Sequence, residues 1–440
     1  MTGNGSGSCY GAASVRSQPS FLDDVSEPAF LADSLSFEQQ LRGFRWEGKS
    51  TEVVVTTVEV AGRPLAVQTF VNEFWTSRQR AAHSLHEVSY RACFKPQLPR
   101  FFIERLTRPG GTVYDPFMGR GTTLLEAALL GRVPVGCDIN PLSQVLVAPR
   151  LQPPSLDVVR ARLSTVAWTT DAALPEELLT FYHPDTLREI LALRIYLDRR
   201  RVSGLLDAVD AWIRMVAVNR LTGHSPGFFS VYTLPPNQAA SVVAQKKINA
   251  ARDQQPPRRS VPALILAKSR ALLRDADAPT RRALASVAGR HRLFTESAAT
   301  TPEIETSSVD LVVTSPPFLD VVNYAADNWL RCWFCGIDPA GMKLTVPRKI
   351  QDWRTAMTAV FVELARVVRP GGHVAFEVGE VRGGRVRLEE HVIPCGIDAG
   401  LEPVLVLINA QAFTKTAACW GVDNNRKGTN TNRIVLFRRP

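Results

Sequence analysis

Apolar and polar residues alternate from residue 52 to residue 75, around the turn Ala61-Gly62-Arg63-Pro64. That two-residue period predicts an N-terminal β-hairpin. An apolar strand then runs into Val113-Tyr114-Asp115, and the amphipathic stretch Leu124-Leu125-Glu126-Ala127-Ala128-Leu129-Leu130 follows as a helix. Val133-Pro134-Val135-Gly136-Cys137-Asp138 reads as a second strand ending in a carboxylate. From residue 149 to about residue 289 the period becomes helical, as in Thr186-Leu187-Arg188-Glu189-Ile190-Leu191-Ala192-Leu193. Strands resume at Arg292-Leu293-Phe294, closed by Glu296, and at Val309-Asp310-Leu311-Val312-Val313. Residues 364–376 combine a helix, a Pro-Gly-Gly turn and a strand, and Arg433-Ile434-Val435-Leu436-Phe437 is the last strand, after a glycine- and asparagine-rich turn at residues 428–432. Residues up to about Phe37 are expected to be poorly ordered, and no internal repeat is evident.

Two loops carry the candidate chemistry. In Asp115-Pro116-Phe117-Met118-Gly119-Arg120-Gly121-Thr122 the glycines let the backbone turn tightly and approach a ligand, with a helix N-terminus behind them. The loop is neither the Gly-x-Gly-x-x-Gly dinucleotide fingerprint nor a P-loop. Asp138 falls about twenty residues beyond, where a carboxylate can accept ribose hydroxyls of a nucleoside cofactor. The second loop, Thr314-Ser315-Pro316-Pro317-Phe318, follows a hydrophobic strand. Its prolines fix φ and remove two donors, so their carbonyls only accept. Acceptors beside an aromatic ring suit the exocyclic amine of a nucleic-acid base.

Asp-Pro-Phe-x-Gly-x-Gly-Thr followed by Thr-Ser-Pro-Pro-Phe resembles the amino-methylating DNA methyltransferases, which use S-adenosyl-L-methionine. The resemblance implies a Rossmann-like α/β sheet with helices on both faces. It implies cofactor contacts from Asp115, Pro116, Phe117, Gly119, Gly121 and Thr122, from Asp138 to the ribose, and from Glu296 to the adenine. Phe94-Lys95-Pro96-Gln97-Leu98-Pro99 is similar to the family segment that lines the methionine end, which adds Phe94. Ser315, Pro316, Pro317 and Phe318 form the catalytic motif, and a leading serine resembles the members that methylate N4 of cytosine rather than N6 of adenine. On this reading Ser315 and the Pro316 carbonyl hold the amine protons, Phe318 stacks on the extruded base, and orientation supplies much of the acceleration. Pro394-Cys395 lies away from the catalytic loop and reads as incidental rather than as a C5-methylating nucleophile.

The implied organisation is a short N-terminal segment (1–37), an extension with the hairpin (38–82), and a first methyltransferase part that binds cofactor (83–148). A mostly helical insert after the second strand (149–289) and a second methyltransferase part (290–440) complete it. The insert is the one sizeable candidate for reading double-stranded DNA. Its centre supplies Asn219, Arg220, His224, Phe228 and Tyr232 as expected contacts, and a buried helical lid would explain the same aromatics.

Charge sharpens this. The 440 residues include 52 Lys or Arg and 42 Asp or Glu, a net charge of +10. Residues 241–290 hold eleven of the basic side chains, among them Lys246, Lys247, Arg258 and Arg259, against three acids. Such concentration is expected where phosphates are neutralised. Seven scattered cysteines suit a reducing cytoplasm, where the resemblance implies association with the nucleoid, and Cys332 and Cys335, with no second pair, read as core rather than zinc ligands. No apolar run approaches membrane-spanning length and residues 1–20 lack a signal-peptide core. The resemblance leaves room for a cognate restriction endonuclease as partner. It also leaves open an adenine or RNA methyltransferase and a non-catalytic nucleic-acid-binding protein of the same fold.

Overall fold

A computed structural model describes residues 35–75, 82–91, 93–317, 324–338, 347, 349–381, 386–410 and 431–440. Phe318, the segment expected to be disordered up to residue 34, and most of the turn before the last strand lie outside the described residues.

One nine-stranded sheet organises the chain. Its strands are β1 (Glu52–Val60), β2 (Arg63–Asn72), β3 (Thr112–Asp115), β4 (Val133–Cys137), β5 (Arg292–Phe294), β6 (Val309–Thr314), β7 (Val368–Val378), β8 (Glu402–Ala410) and β9 (Thr431–Arg438). They lie in the order β1-β2-β8-β9-β7-β6-β3-β4-β5. From β7 to β5 all neighbours are parallel, whereas β9 runs antiparallel to both β7 and β8. The hairpin forms as expected, because Ala61 and Gly62 both take positive φ (50° and 76°), the geometry of a tight two-residue hairpin turn. Its second strand also pairs in parallel with β8, so the hairpin extends the sheet.

Thirteen helices are described: α1 (Phe37–Gly43), α2 (Gln97–Leu106), α3 (Thr122–Leu129), α4 (Leu142–Leu151), α5 (Leu156–Thr165), α6 (Pro184–Val202), α7 (Ala208–Val218), α8 (Val242–Ala251), α9 (Val261–Leu272), α10 (Ala278–Ser286), α11 (Tyr324–Cys335), α12 (Ile350–Val367) and α13 (Glu389–Asp398). Alternation along the strands divides their side chains between two cores. Val435 and Phe437 of β9 pack with Tyr114, Val312 and Phe376 beneath α12 and α13. Ile434 and Leu436 pack with Val113, Leu311 and Val313 against Phe101 and Phe102 of α2. The protein is α/β, with a mostly parallel central sheet covered by helices on both faces.

The insert is no separate body. Leu163, Leu187, Trp212 and Phe229 share one hydrophobic cluster with Met118, Leu124 and Leu125 of the first methyltransferase part. Its expected start at Pro149 falls inside α4, which packs onto α7. No helix among the described residues is long and apolar enough to cross a membrane.

Candidate active site

The first loop leaves the sheet at the carboxyl end of β3. Gly119 and Gly121 adopt φ of +48° and +74°, the left-handed region that favours glycine. Gly121 precedes α3, and a Cβ there would sit 2.5 Å from Val147 Cγ2 of α4, so helix and loop close together only without a side chain. Neighbouring backbone fixes the turn. The Met118 amide donates to the Cys137 carbonyl at 2.9 Å, and the Gly119 amide donates to Asp138 Oδ2 at 2.8 Å. Asp138 Oδ1 accepts the Asn140 amide at 2.8 Å. Asp138 therefore braces the glycine turn, and burial raises its pKa. At the end of β5, Glu296 accepts the Cys137 thiol on its carbonyl, while its Oε2 is shielded without a hydrogen-bond partner among the described residues.

The second loop emerges beside the first, because β3 and β6 are adjacent and parallel with Tyr114 opposite Val312. Two threonines tie them. Thr314 donates to Asp115 Oδ1 at 2.6 Å, and Thr123 donates to the Val313 carbonyl at 3.0 Å. Asp115 also accepts the Phe117 amide at 3.1 Å, and burial lifts its pKa to about 7 against these hydrogen bonds. Pro316 is buried, Ser315 and Pro317 are half-buried, and the Pro317 carbonyl accepts the indole N–H of the buried Trp353 at 3.0 Å. Beside them, Glu377 at the carboxyl end of β7 is buried, with hydrogen bonds to the Ser315 side chain and to Asn432 Nδ2, the latter at 2.8 Å. Burial raises its pKa.

A nucleoside bearing ribose hydroxyls and an exocyclic amine is a class of ligand that matches this acceptor set. It would supply donors for Glu296 Oε2 and for the remaining lone pairs of Asp138, and it would need the close backbone that Gly119 and Gly121 allow. The neighbourhood fits S-adenosyl-L-methionine.

Comparisons with known proteins point the same way. The family described as DNA methylase matches residues 53–144. Type II methyltransferase M.MjaII of Methanocaldococcus jannaschii is 36% identical over 75 residues, 17% of this chain and 14% of that protein. Type II methyltransferase M.BsoBI of Geobacillus stearothermophilus is 23% identical over 358 residues, 74% of this chain and 64% of that protein. Over the matched stretches the chain is similar to N4/N6 amino-methyltransferases. It spans 14% and 64% of those two relatives, in each case less than two thirds of their length. Among solved structures, TrmN from Thermus thermophilus aligns at 12% identity over 86% of this chain and 56% of that chain, with a TM-score of 0.34.

Within this family frame, the expected site residues separate into groups. Asp115, Pro116, Phe117, Gly119, Gly121, Thr122, Asp138 and Glu296 gather at the carboxyl ends of β3, β4 and β5, next to Ser315, Pro316 and Pro317. Phe94 packs against the α2 core beside Phe101 and Phe102. Two expected DNA contacts, Asn219 and Phe228, are buried. Asn219 caps α7, accepting the Ser89 amide at 3.0 Å and donating to the Met215 carbonyl at 3.0 Å, and Phe228 packs beneath the Arg220 guanidinium, 4.0 Å from its ring. Burial lowers Arg220 to about 10. His224 and Tyr232 are half-buried, Tyr232 beneath Arg252 at 3.8 Å. Lys246 and Lys247 are exposed, Arg258 is exposed near Asp185 and Glu189, and Arg259 is half-buried with its backbone bonded to Thr186.

Glu377 and Tyr90 are the residues that sequence reasoning missed. Tyr90 covers the glycine turn: a Cβ on Gly119 would lie 3.5 Å from its ring, and its hydroxyl accepts Asn140 Nδ2 at 3.4 Å. An acidic residue closing the strand after the Pro-Gly-Gly turn was the available signal for Glu377.

Proposed function

We propose that this chain transfers a methyl group from S-adenosyl-L-methionine to the exocyclic N4 amine of cytosine in DNA. The observation that carries the proposal is the pairing of β3 with β6, with the Thr314–Asp115 hydrogen bond holding the glycine loop beside the Ser-Pro-Pro loop. The bound cofactor would supply an electrophilic methyl group on a positively charged sulfur. Gly119, Gly121, Asp138 and Glu296 hold its nucleoside and turn, and Tyr90 covers the glycine loop.

The amine is a weak nucleophile because its lone pair is delocalised into the ring. Ser315 Oγ and the Pro316 carbonyl accept its two protons and localise the lone pair on nitrogen. Glu377 draws the hydroxyl proton of Ser315 toward its own carboxylate, which leaves Oγ free to accept. The Pro317 carbonyl is committed to Trp353, which keeps the lip rigid. Fixed acceptors in a shielded site act without reorganisation during the reaction. As the bond from the methyl carbon to the amine nitrogen formed, the carbon–sulfur bond would break with its electron pair returning to sulfur, leaving a neutral thioether, and one amine proton would pass to solvent water.

DNA rather than RNA as substrate, cytosine rather than adenine, a flipped target base and a cytoplasmic location follow from the family resemblance and from Ser315 at the head of the motif. Exposed Lys246, Lys247 and Arg258 suit a phosphate backbone. Calorimetry with S-adenosyl-L-methionine, followed by competition between duplex DNA and structured RNA for the labelled methyl group, tests the reading. Saturable cofactor binding with preference for the duplex is expected. Transfer to RNA alone would reject it.

A further inference from the structure

A cavity of about 520 Å³ opens between α6, α7 and the carboxyl end of α11. Helix α11 begins at Tyr324, just after the Ser-Pro-Pro loop, and its twelve residues span about 18 Å. The cavity thus lies at the end of α11 away from the paired loops, and no residue of those loops lines it.

Its lining is cationic. Arg194 and Arg201 of α6 and Arg214 of α7 face it, and Asp198 is the one acid among the described lining residues. Arg201 is exposed and paired with Asp198 at 2.6 Å, which neutralises it locally. Arg194 and Arg214 are half-buried, and among the described residues no carboxylate forms an ion pair with either. Both are held in place. The Arg194 guanidinium lies 4.8 Å from the Trp333 ring centroid, and Arg214 Nη2 donates to the Cys335 carbonyl at 2.9 Å. Both also lie within electrostatic reach of the Cys335 thiol, which lines the same cavity, so the two cations converge there.

Two cationic forks in a partly shielded space repel each other unless an anion joins them. A phosphate monoester matches the pair. At neutral pH its phosphoryl group carries close to two negative charges, and its oxygens accept the paired N–H groups of a guanidinium. A phosphodiester of a nucleic-acid backbone carries a single charge and would leave one arginine uncompensated. Ile195 and Phe334 supply an apolar wall for the body of the ligand, and the volume falls among those of sites that enclose small organic molecules.

We propose that this cavity binds a small phosphate monoester of nucleotide size. Its phosphoryl group is held between Arg194 and Arg214, and its organic body lies against Ile195 and Phe334. The site stands apart from the methyltransferase reading and does not depend on it.

Calorimetry of the full chain with adenosine monophosphate and with phenyl phosphate tests the site, beside adenosine as the uncharged control and with excess S-adenosyl-L-methionine as competitor. Saturable binding of a monoester, much weaker binding of adenosine and no displacement by S-adenosyl-L-methionine are expected. Arg194→Gln should keep the wild-type melting temperature and weaken the monoester by about tenfold or more, as for loss of a charged hydrogen-bonding partner. Arg194→Lys, which keeps the charge without the fork, should retain part of the affinity. Absence of saturable binding by both monoesters, adenosine bound as tightly, or full affinity in Arg194→Gln would overturn the site. Displacement by S-adenosyl-L-methionine would assign the binding to the cofactor loops instead. A short duplex without terminal phosphates that displaces the monoester would assign the arginine pair to a nucleic-acid backbone, and either displacement overturns the proposal.

Discussion

At the scale of single residues, the chemistry depends on what shields and orients a few acceptors. Ser315→Ala removes the hydroxyl proposed to localise the amine lone pair, and kcat should fall about 100-fold or more with cofactor affinity retained. Steady-state kinetics beside calorimetry checks this. Glu377→Gln should flatten the rise of kcat with pH that ionisation of this buried carboxylate produces, without altering cofactor binding. Asp115 supplies a separate stability signal. Burial raises its pKa to about 7 in the folded state, above the ordinary carboxylate range. The folded protein therefore binds this proton more readily than the unfolded chain, and stability falls as pH rises from the ordinary range through about 7. Denaturant unfolding of Asp115→Asn across that window should lack the decline. Burial also explains what residue type alone conceals. Asn219 and Phe228 look like surface readers in sequence, yet Asn219 is a helix cap and Phe228 lies under an arginine. The carboxamide in sequence carries no mark of whether it meets backbone or base.

At the scale of elements, local patterns were legible and long-range pairings were not. Alternation and turn chemistry locate the hairpin, β3, β4, β6 and the glycine loop. The union of β2 with β8 joins strands more than three hundred residues apart, and no local period encodes it. Fusion of the insert with the α3–α4 core is equally non-local, since an amphipathic helix announces a buried face but not its partner. The glycine loop is where element packing and site coincide. Gly121→Ala would place a Cβ 2.5 Å from Val147 at a φ of +74°. Overpacking and backbone strain together should destabilise the fold by about 1–3 kcal/mol. Urea unfolding measures this loss, and weaker cofactor binding should accompany it.

At the scale of the whole molecule, one sheet presents both loops on the same edge, and the insert packs over the face beside them. The surplus of basic side chains belongs largely to that insert, with Lys246 and Lys247 exposed on α8. Replacing both with alanine should weaken duplex binding uniformly across sequences and lower the slope of log affinity against log salt by about 2. An unchanged slope would move the phosphate contacts elsewhere on the molecule. The central claim is that the paired loops bring a methyl donor to an extruded cytosine amine. Its most direct test is nucleoside mass spectrometry of DNA incubated with the protein and isotopically labelled S-adenosyl-L-methionine. The account predicts labelled N4-methylcytosine with the wild type and none with Ser315→Ala. Label confined to N6-methyladenine, or absent from DNA while the cofactor binds, would contradict it.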